Sequence, residues 1–510
     1  MEDILTAEIN ENRNAGILAH PTSFPGHYGI GDLGWGAYAF VDFLERSGMN
    51  LWQVLPLGHT GFGDSPYFPF SSFAGQPYII GIDELRHAGL IWDEDFYGMP
   101  QWDPCRVDYG RVIAFKTGLL KRAYDRFLDS NIHDAYSTDE SWMLSYAEFC
   151  ANEEWLDDYA LFMAGKDHFG GAPWYEWEDS LKKPTAKQKA EWMKKLSWEV
   201  GYYRFIQYIF HKQWFALKEY ANAKNIKIVG DMPIFVAWDS VDVWCNKNLF
   251  DLDSKGYPKT VAGVPPDYFS AEGQLWGNPL YKWSAHTKTG YDWWIKRIRH
   301  QLRIADYVRI DHFRGFDRFW SVQYGEETAM NGKWVQAPGV DFFTKLKKVL
   351  GDDMPIIAED LGTIDQSVID LRDQFGLPGM KILQFGFENP EENSFLPHNY
   401  IPNCVCYTGT HDNDTTLGWY QKCFEKNKDK LRRYYSTDGS DISWTLIRGC
   451  FASVANMAIV PMQDVLSLDS WARMNTPGEG AGNWAWRFRY EEMSSYLEAR
   501  LYETSKLYGR

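Results

Sequence analysis

Cysteine is scarce and unpatterned in this chain. Its 510 residues contain seven cysteines, an odd number, with no CxxC pair among them. A disulfide framework or a zinc–thiolate site needs paired or clustered cysteines, so this usage excludes both as the main source of stability. We expect reduced thiols that mostly fill the core, which favours a cytoplasmic location.

Long apolar runs and an excess of positive charge are also missing. No run of about 18 apolar residues occurs, so the sequence predicts no membrane span. The amino terminus, MEDILTAEINENRN, has neither the basic nor the apolar region of a signal peptide. With 52 basic and 69 acidic residues the formal charge is −17, so we expect no nucleic acid or membrane partner.

Sequence motifs for cofactors are absent or incomplete. The chain has no GxxxxGK phosphate-binding loop and no HExxH metal motif. GIGDLG (29–34) fits GxGxxG, but the next apolar run, LWQVLPLG, lacks the acidic residue that a dinucleotide site needs. We therefore predict no cofactor and no metal.

Aromatic residues, in contrast, are abundant. Tryptophan (24), tyrosine (30) and phenylalanine (31) together make up 17% of the chain. Tryptophan is rarely fully buried, and flat aromatic rings fit the apolar C–H faces of pyranose sugars. A large aromatic core explains the same composition, and composition alone does not separate the two interpretations.

Eight short apolar runs have the pattern of strands that are buried on both faces, because they are nearly continuous and mostly too short for helices. They lie at 15–20, 50–57, 226–236, 307–313, 355–361, 380–387, 404–412 and 456–466. Amphipathic segments separate them, among them 36–48, 203–225, 289–305, 340–351 and 366–376. This alternation predicts an α/β fold, a (β/α)8 TIM barrel.

The uneven spacing of these runs predicts large loop insertions on a single catalytic domain, 1–510. One insertion, 58–225, follows the second strand and has helical patterns at 111–128, 140–164 and 184–199. Another, 237–282, follows the third strand and includes a loop, 261–279, whose composition suits a lid that excludes water. Only 467–510 follow the eighth strand, so we expect no C-terminal β-domain.

Three carboxylates end three of the predicted strands. Asp311 lies in YVRIDHFRGF (307–316), Glu359 in PIIAEDLG (355–362) and Asp412 in TGTHDND (408–414). A parallel barrel presents the carboxyl ends of its strands at one rim, where such enzymes do chemistry. Three carboxylates at that rim suit cleavage of a glycosidic bond, with one nucleophile, one proton donor and one group that binds the distorted sugar.

Structural roles compete with this interpretation. Arg309 lies two residues before Asp311 and faces the same way, so it either keeps a nucleophile ionised or forms a plain ion pair. His411 with Asp412 has the alternative of a metal site, and Asp231 binds either a sugar hydroxyl or an arginine. The joint pattern is stronger than any single residue, because a stabilising role does not select one rim.

The chain resembles the 4-α-glucanotransferases called amylomaltase or disproportionating enzyme, family seventy-seven of the glycoside hydrolases. The resemblance extends over nearly the whole chain and rests on long motifs in a fixed order. They are GILAHPTSFPGHYGIGDLG, LWQVLPLGHTGFGDSPYFPFSSFAGQPYII, IVGDMPIFVAWDSVDVW, AGVPPDYFSAEGQLWGNPLY, VRIDHFRGF, IIAEDLG, GTHDNDTTLGWY and NTPGEGAGNWAWRF. It implies a barrel with insertions and without a C-terminal β-domain.

The resemblance also implies roles for individual residues. Asp311 matches the family's nucleophile, Glu359 its general acid/base and Asp412 its transition-state stabiliser. Positions that line the subsite of the cleaved sugar are matched by Arg309, His312, His411, Ser65, Tyr67 and Asp231. A flexible loop over the acceptor side is matched by Asp267, Tyr268, Gln274 and Trp276. The late loop, NTPGEGAGNWAWRF (475–488), differs from the family's usual residues near its glycines. In this loop Asn483 is the candidate for a sugar contact.

The implied activity is cleavage of an α-1,4 bond of a maltooligosaccharide or α-glucan with retention. The glucan segment then passes to the 4-hydroxyl of another glucan or of glucose. The residues alone support a retaining glycosidase, whereas transfer rather than hydrolysis rests on the resemblance. A hydrolase of the α-amylase type and a non-catalytic glycan-binding barrel remain as alternatives, the second disfavoured because carboxylates stand at both 311 and 359.

Overall fold

Twelve strands make up the two sheets of the computed structural model, which describes residues 13–129, 140–266, 270–388 and 393–510. The strands are β1 (Asn14–Leu18), β2 (Leu51–Gln53), β3 (Lys227–Pro233), β4 (Thr260–Val264), β5 (Gln274–Pro279), β6 (Tyr307–Asp311), β7 (Arg318–Gln323), β8 (Lys333–Gln336), β9 (Ile356–Ala358), β10 (Gly379–Ile382), β11 (Cys404–Tyr407) and β12 (Met457–Pro461).

Eight of these strands form the predicted parallel barrel. Their order around the sheet is β10-β11-β12-β1-β2-β3-β6-β9, which places neighbouring strands of the chain side by side. Between β9 and β10 the backbone N–H of Ala358 donates to the carbonyl of Pro378 (2.9 Å), and the barrel is nearly closed there. Each of the eight predicted apolar runs supplies one strand, so this prediction is confirmed.

Helices follow or precede the barrel strands as the periodicity predicts. Their bounds are α1 (Trp35–Arg46), α2 (Ile82–His87), α3 (Tyr109–Leu128), α4 (Glu140–Asn152), α5 (Leu156–His168), α6 (Asp179–Lys182), α7 (Ala186–Lys195), α8 (Ser197–Ala223), α9 (Val241–Cys245), α10 (Trp283–Lys288), α11 (Asp292–Ile304), α12 (Gly339–Leu350), α13 (Gln366–Gln374), α14 (Phe385–Glu388), α15 (Thr416–Lys422), α16 (Glu425–Tyr435), α17 (Ile442–Ala452), α18 (Met462–Val465) and α19 (Ser495–Leu507). Within the described residues, none of them is both long and apolar enough to cross a membrane.

Some helix bounds differ from the sequence pattern. The predicted segment 289–305 becomes a helix only at Asp292, because Gly290 (φ 65°) and Tyr291 (φ 63°) adopt left-handed conformations that no helix continues through. The pattern at 140–164 divides into α4 and α5, and the pattern at 184–199 divides between α7 and α8. Apolar periodicity continues across these breaks, so it did not reveal them.

The segment 261–279 was predicted as a loop, and that prediction is wrong at both ends. Its ends form β4 and β5, which join β7 and β8 in an antiparallel sheet of order β5-β4-β7-β8. Two of its glycines obscured the strand pattern; a Cβ on one of them, Gly263, would lie 2.5 Å from the carbonyl oxygen of Gln274. Only 265–273 separate the two strands, and the boundaries of the insertions at 58–225 and 237–282 remain predictions.

Much of the aromatic content lies in the core. Trp52, Trp214 and Trp294 are fully buried, and Trp52 donates a hydrogen bond from Nε1 to the carbonyl of Ala19 (2.8 Å). The described residues after β12 contain helices and turns and no strand of a further β-domain. The loops that follow the parallel barrel strands all start at one rim of the barrel.

Candidate active site

Four acidic side chains lie at the carboxyl ends of barrel strands. Asp231 is near the end of β3 and pairs in register with Arg309 of β6, and Asp311 is the last residue of β6. Glu359 directly follows β9, and Asp412 lies a few residues beyond β11. Because the strands are parallel, all four carboxylates are carried to one rim, as the sequence predicted.

Arg309 connects two of these carboxylates. Its Nη1 donates to both carboxylate oxygens of Asp231 (2.7 Å each), and its Nη2 donates to Oδ1 of Asp311 (2.9 Å). The Asp231 side chain has no exposed area, whereas 29% of the Asp311 side chain is exposed. The ion pair expected for Asp311 is therefore present, and part of its carboxylate remains exposed at the rim; its role as a nucleophile remains a prediction.

Burial and charge set the protonation of Asp311 and Glu359. Burial raises the pKa of Asp311 and outweighs the opposing effect of Arg309. Burial also raises the pKa of Glu359 to about 7, with a further contribution from the negative charge of Asp311. A carboxyl group that titrates near neutral pH is suited to both donating and accepting a proton.

Backbone N–H groups fix the orientation of Glu359. Oε2 accepts a hydrogen bond from the backbone N–H of His312 (2.6 Å), and Oε1 accepts one from that of Leu361 (2.9 Å). His312 adopts a left-handed conformation (φ 56°, ψ 49°), which is unusual for a residue other than glycine. That turn, directly after Asp311, aims the His312 N–H at Glu359 and so links the two catalytic candidates.

Asp412 is held by three side chains. His411 approaches Oδ2 from Nε2 (3.3 Å), Nδ2 of Asn475 donates to Oδ1 (2.6 Å), and Nη2 of Arg473 donates to the Asp412 carbonyl (2.6 Å). Burial acts to raise the pKa of Asp412, but the charge and hydrogen bond of His411, together with Asn475, lower it to about 2. Asp412 is therefore ionised at neutral pH, whereas Glu359 titrates near it.

Tyr67 brings the loop after β2 into the site. Its hydroxyl donates to Oδ2 of Asp231 (2.8 Å), and its ring stacks on His411 with centroids 5.1 Å apart and an interplanar angle of 18°. The hydroxyl of Ser65 accepts a hydrogen bond from the Tyr67 backbone N–H (3.2 Å), so it shapes the turn that presents Tyr67. That Ser65 and Tyr67 line the subsite of the cleaved sugar remains a prediction.

Trp276 lies against His312. The two rings meet edge to face with centroids 4.8 Å apart, and Nε1 of Trp276 donates to the side-chain oxygen of Gln274 (3.1 Å). Burial lowers the pKa of His312 to about 3, so the imidazole is neutral. Its Nε2 is buried and has no hydrogen-bond partner within the described residues, which leaves one ring nitrogen for a ligand.

Comparison with known proteins identifies the family of this chain. The family model for 4-α-glucanotransferase, glycoside hydrolase family 77, matches residues 19–493. The chain belongs to this family. A 4-α-glucanotransferase of Synechocystis sp. is 47% identical over 504 residues, 98% of each chain. One of Thermus thermophilus is 48% identical over 504 residues, 96% of this chain and 97% of the relative.

A solved structure of similar extent supports the same assignment. Amylomaltase from Streptococcus agalactiae in complex with acarbose is 42% identical, with a TM-score of 0.93, over 98% of this chain and 99% of that chain. The barrel with its insertions is therefore the fold of a family 77 enzyme over nearly its full length.

Three predicted site residues of this family 77 chain need separate comment. Asn483 turns towards its own loop, because Oδ1 accepts from the Thr476 N–H (2.9 Å) and Nδ2 donates to the Glu479 carbonyl (2.8 Å). A sugar contact by Asn483 remains a prediction, and a role in bracing the loop is what its bonds establish. Asp267 and Tyr268 lie outside the described residues.

Sequence reasoning missed Asn475, the residue that donates to Asp412 from the loop after β12. Asn475 begins the motif NTPGEGAGNWAWRF, in which only Asn483 was singled out, and its separation of 63 residues from Asp412 gave no signal of this contact. Its backbone N–H also donates to the His411 carbonyl (3.1 Å), and Nε of Arg473 donates to the Asn475 carbonyl (2.8 Å). The late loop thus clamps the His411–Asp412 pair at both side chain and backbone.

Replacing Asn475 with alanine is expected to lower kcat for maltotriose about 10- to 100-fold, the effect of losing one hydrogen bond to a charged group. The pKa of Asp412 should rise from about 2 when this donor is removed, so the acidic limb of the pH profile should move to higher pH. Initial rates measured between pH 3 and 9 test both effects. Asn483→Ala is the matched control, and an equal loss in both variants would mean that loop order, not the Asp412 contact, matters.

Metal ligands do not cluster in the part of the chain that the structure describes. No group of three or more His, Cys, Asp or Glu side chains there is arranged to hold a metal ion. His411 and Asp412 instead pair with each other and with Asn475. Independence from metals remains a prediction.

Proposed function

We propose that Asp311 is the nucleophile, Glu359 the general acid/base and Asp412 the transition-state stabiliser of this 4-α-glucanotransferase, which transglycosylates α-1,4-glucans with retention. The observation that carries the proposal is the contrast between two environments. Glu359 has a pKa of about 7 and Asp412 one of about 2, so one carboxyl group exchanges a proton near neutrality and the other stays charged. Environments that separate pKa values in this way assign acid and base roles.

The first half-reaction forms a covalent glycosyl-enzyme. An oxygen of Asp311 attacks C1 of the donor sugar, the C1–O4 bond breaks, and the proton of Glu359 passes to the leaving oxygen. Arg309 orients Asp311 through the bond to Oδ1 (2.9 Å). Asp412, held by His411 and Asn475, faces the developing positive charge on the ring.

The second half-reaction restores the enzyme. The 4-hydroxyl of an acceptor attacks C1, the ester bond to Asp311 breaks, and the hydroxyl proton passes to Glu359. Atoms and charges balance, because one glycosidic bond is broken and one is formed. Trp276 and its β4–β5 hairpin border His312, and we assign this hairpin to the acceptor side, where it limits the access of water to the ester.

Maltooligosaccharides, longer α-1,4-glucans and glucose as an acceptor are the partners that belong to this proposal. The relatives are 4-α-glucanotransferases, and the structural neighbour from Streptococcus agalactiae is described in complex with acarbose. The Asp311 carboxylate is partly exposed and the His312 imidazole is uncharged, so both can contact the hydroxyl groups of an uncharged sugar. A cytoplasmic location is part of the proposal, supported by seven cysteines that all carry free thiols.

Maltotriose tests the proposed function. Two molecules should give glucose and maltopentaose early in the reaction, because a maltosyl group passes from Asp311 to a second maltotriose. Products are resolved by chain length over time, with Asp311→Asn as a control for contaminating activity. Maltose and glucose in equal amounts as the sole products would show hydrolysis and overturn the transferase assignment.

A further inference from the structure

Four aromatic residues from separate segments meet at the surface near the base of the β4–β5 hairpin. Tyr175 and Trp238 stack with centroids 3.7 Å apart, and Tyr257 lies 5.5 Å from the first ring and 5.2 Å from the second. Tyr324 contacts Trp238 edge to face (5.6 Å) and lies 6.2 Å from Tyr257. We call these four residues the aromatic surface cluster.

The members of the cluster remain accessible. Tyr324 is 43% exposed, and the other three rings are half-buried. Within the described residues, the hydroxyls of Tyr175, Tyr257 and Tyr324 have no hydrogen-bond partner in the protein. The cluster therefore combines apolar ring faces with three hydroxyl groups at the ring edges. A pyranose ring has the complementary combination, an apolar C–H face with hydroxyl groups around its edge.

Some other exposed aromatic rings of this chain lie beside cations. Arg126 lies 3.7 Å from the ring of Trp92, which is 40% exposed, and Lys506 lies 5.5 Å from that of Tyr502, which is 45% exposed. Among the described residues, no lysine or arginine stacks on any ring of the aromatic surface cluster. Its faces are therefore not used by the protein's own cations.

Two residues of the cluster flank strands of the sheet that contains Trp276. Tyr324 directly follows β7, whose Gln323 pairs with Thr260 of β4, and Tyr257 lies just before β4. Tyr257 lies a few residues before the part of β4 that pairs with the strand of Trp276. At about 3.3 Å per residue, Tyr257 and Trp276 are therefore separated by roughly 15–20 Å. A long glucan that extends from the cleft past Trp276 spans that separation.

We propose that the aromatic surface cluster is a remote binding site for long α-1,4-glucan chains, used when the chain extends beyond the catalytic cleft. This inference rests on the proposed function, because it assigns to the same enzyme a preference for polymeric substrate. Sugar rings pack on the exposed face of Tyr324 and its neighbours, and the tyrosine hydroxyls bond to sugar hydroxyls. Maltotriose, confined to the catalytic subsites, does not reach the cluster.

The test compares a long and a short substrate. Tyr324→Ala should raise KM for amylose about three- to tenfold, as expected for loss of one aromatic stacking contact, with little change for maltotriose. Tyr324→Phe retains the ring and should keep KM for amylose within about twofold of the wild type. Tyr257→Ala is a second variant with the same expected selectivity, and the melting temperature of each variant is measured to verify folding.

Tyr97→Ala is the surface control, because Tyr97 is 82% exposed and lies outside the cluster. It should change neither KM. Unchanged KM for amylose in both folded cluster variants would overturn the remote site, and so would an equal increase for maltotriose, which would indicate an effect on the catalytic cleft. Failure of the wild-type enzyme to disproportionate maltotriose would instead overturn the proposed function, so the two failures are distinguishable.

Discussion

Asp311→Asn should lower kcat/KM for maltotriose at least about 10³-fold, because an amide oxygen does not form the covalent intermediate. The fold should remain. Arg309 keeps its two bonds to Asp231 (2.7 Å each), so its buried charge is still compensated when Asp311 becomes neutral. Initial rates and the melting temperature of the same preparation measure both quantities.

Asp231→Asn is the matched control for the ion pair. Asp231 is fully buried and bonds to both Arg309 and Tyr67, so its loss leaves a buried guanidinium with a single carboxylate. Breaking a buried pair in this way costs about 3–5 kcal/mol, and the variant should melt at a clearly lower temperature. If Asp311→Asn were destabilised as much as Asp231→Asn, its loss of activity would reflect structure, and the nucleophile assignment would fail.

Glu359→Gln should lower kcat/KM about 10²- to 10⁴-fold and remove the alkaline limb of the pH profile. The sign follows from the first half-reaction, which needs protonated Glu359. Because the pKa is about 7, the protonated fraction of the free enzyme falls as pH rises through 7, and kcat/KM should fall with it. In the glutamine variant this dependence should be absent between pH 6 and 8.

An activated donor separates acid catalysis from positioning. α-Maltosyl fluoride has a leaving group that does not need a proton, so Glu359→Gln should release fluoride in the first turnover at nearly the wild-type rate. Asp311→Asn, which lacks the nucleophile, should not. Equal loss of first-turnover fluoride release in Glu359→Gln would contradict its role as the acid.

The barrel was predictable because its strands are buried on both faces. Runs such as Ile356–Ala358 are continuously apolar and end at a carboxylate, and this pattern marks both strand and rim without any long-range information. The antiparallel sheet was not predictable from the same signal. Its strands β4 and β5 are interrupted by glycine, at Gly263 and Gly277, and the first four residues of β5 are exposed or half-buried, so they have the composition of a loop.

The candidate site was likewise predictable only in part. Asp311, Glu359 and Asp412 follow from position along strands, but their protonation depends on contacts that the sequence does not order. Asn475 meets Asp412 through the path of a loop 63 residues later, and no local pattern specifies that path. The sequence also left an ion pair and a nucleophile as alternatives for Asp311; the structure shows the ion pair with Arg309, and the nucleophile remains a proposal.

The sharing of Arg309 between two carboxylates has a consequence for the lifetime of the glycosyl-enzyme. In the proposed mechanism, Asp311 loses its charge when it becomes an ester and Glu359 gains one as it gives up its proton, so the net charge around Arg309 stays constant through the cycle. The charge of Asp311 raises the pKa of Glu359, and its disappearance therefore lowers that pKa. Glu359 then stays a carboxylate until the acceptor binds. The glycosyl-enzyme therefore has the same net charge around Arg309 as the free enzyme, and its general base is already deprotonated.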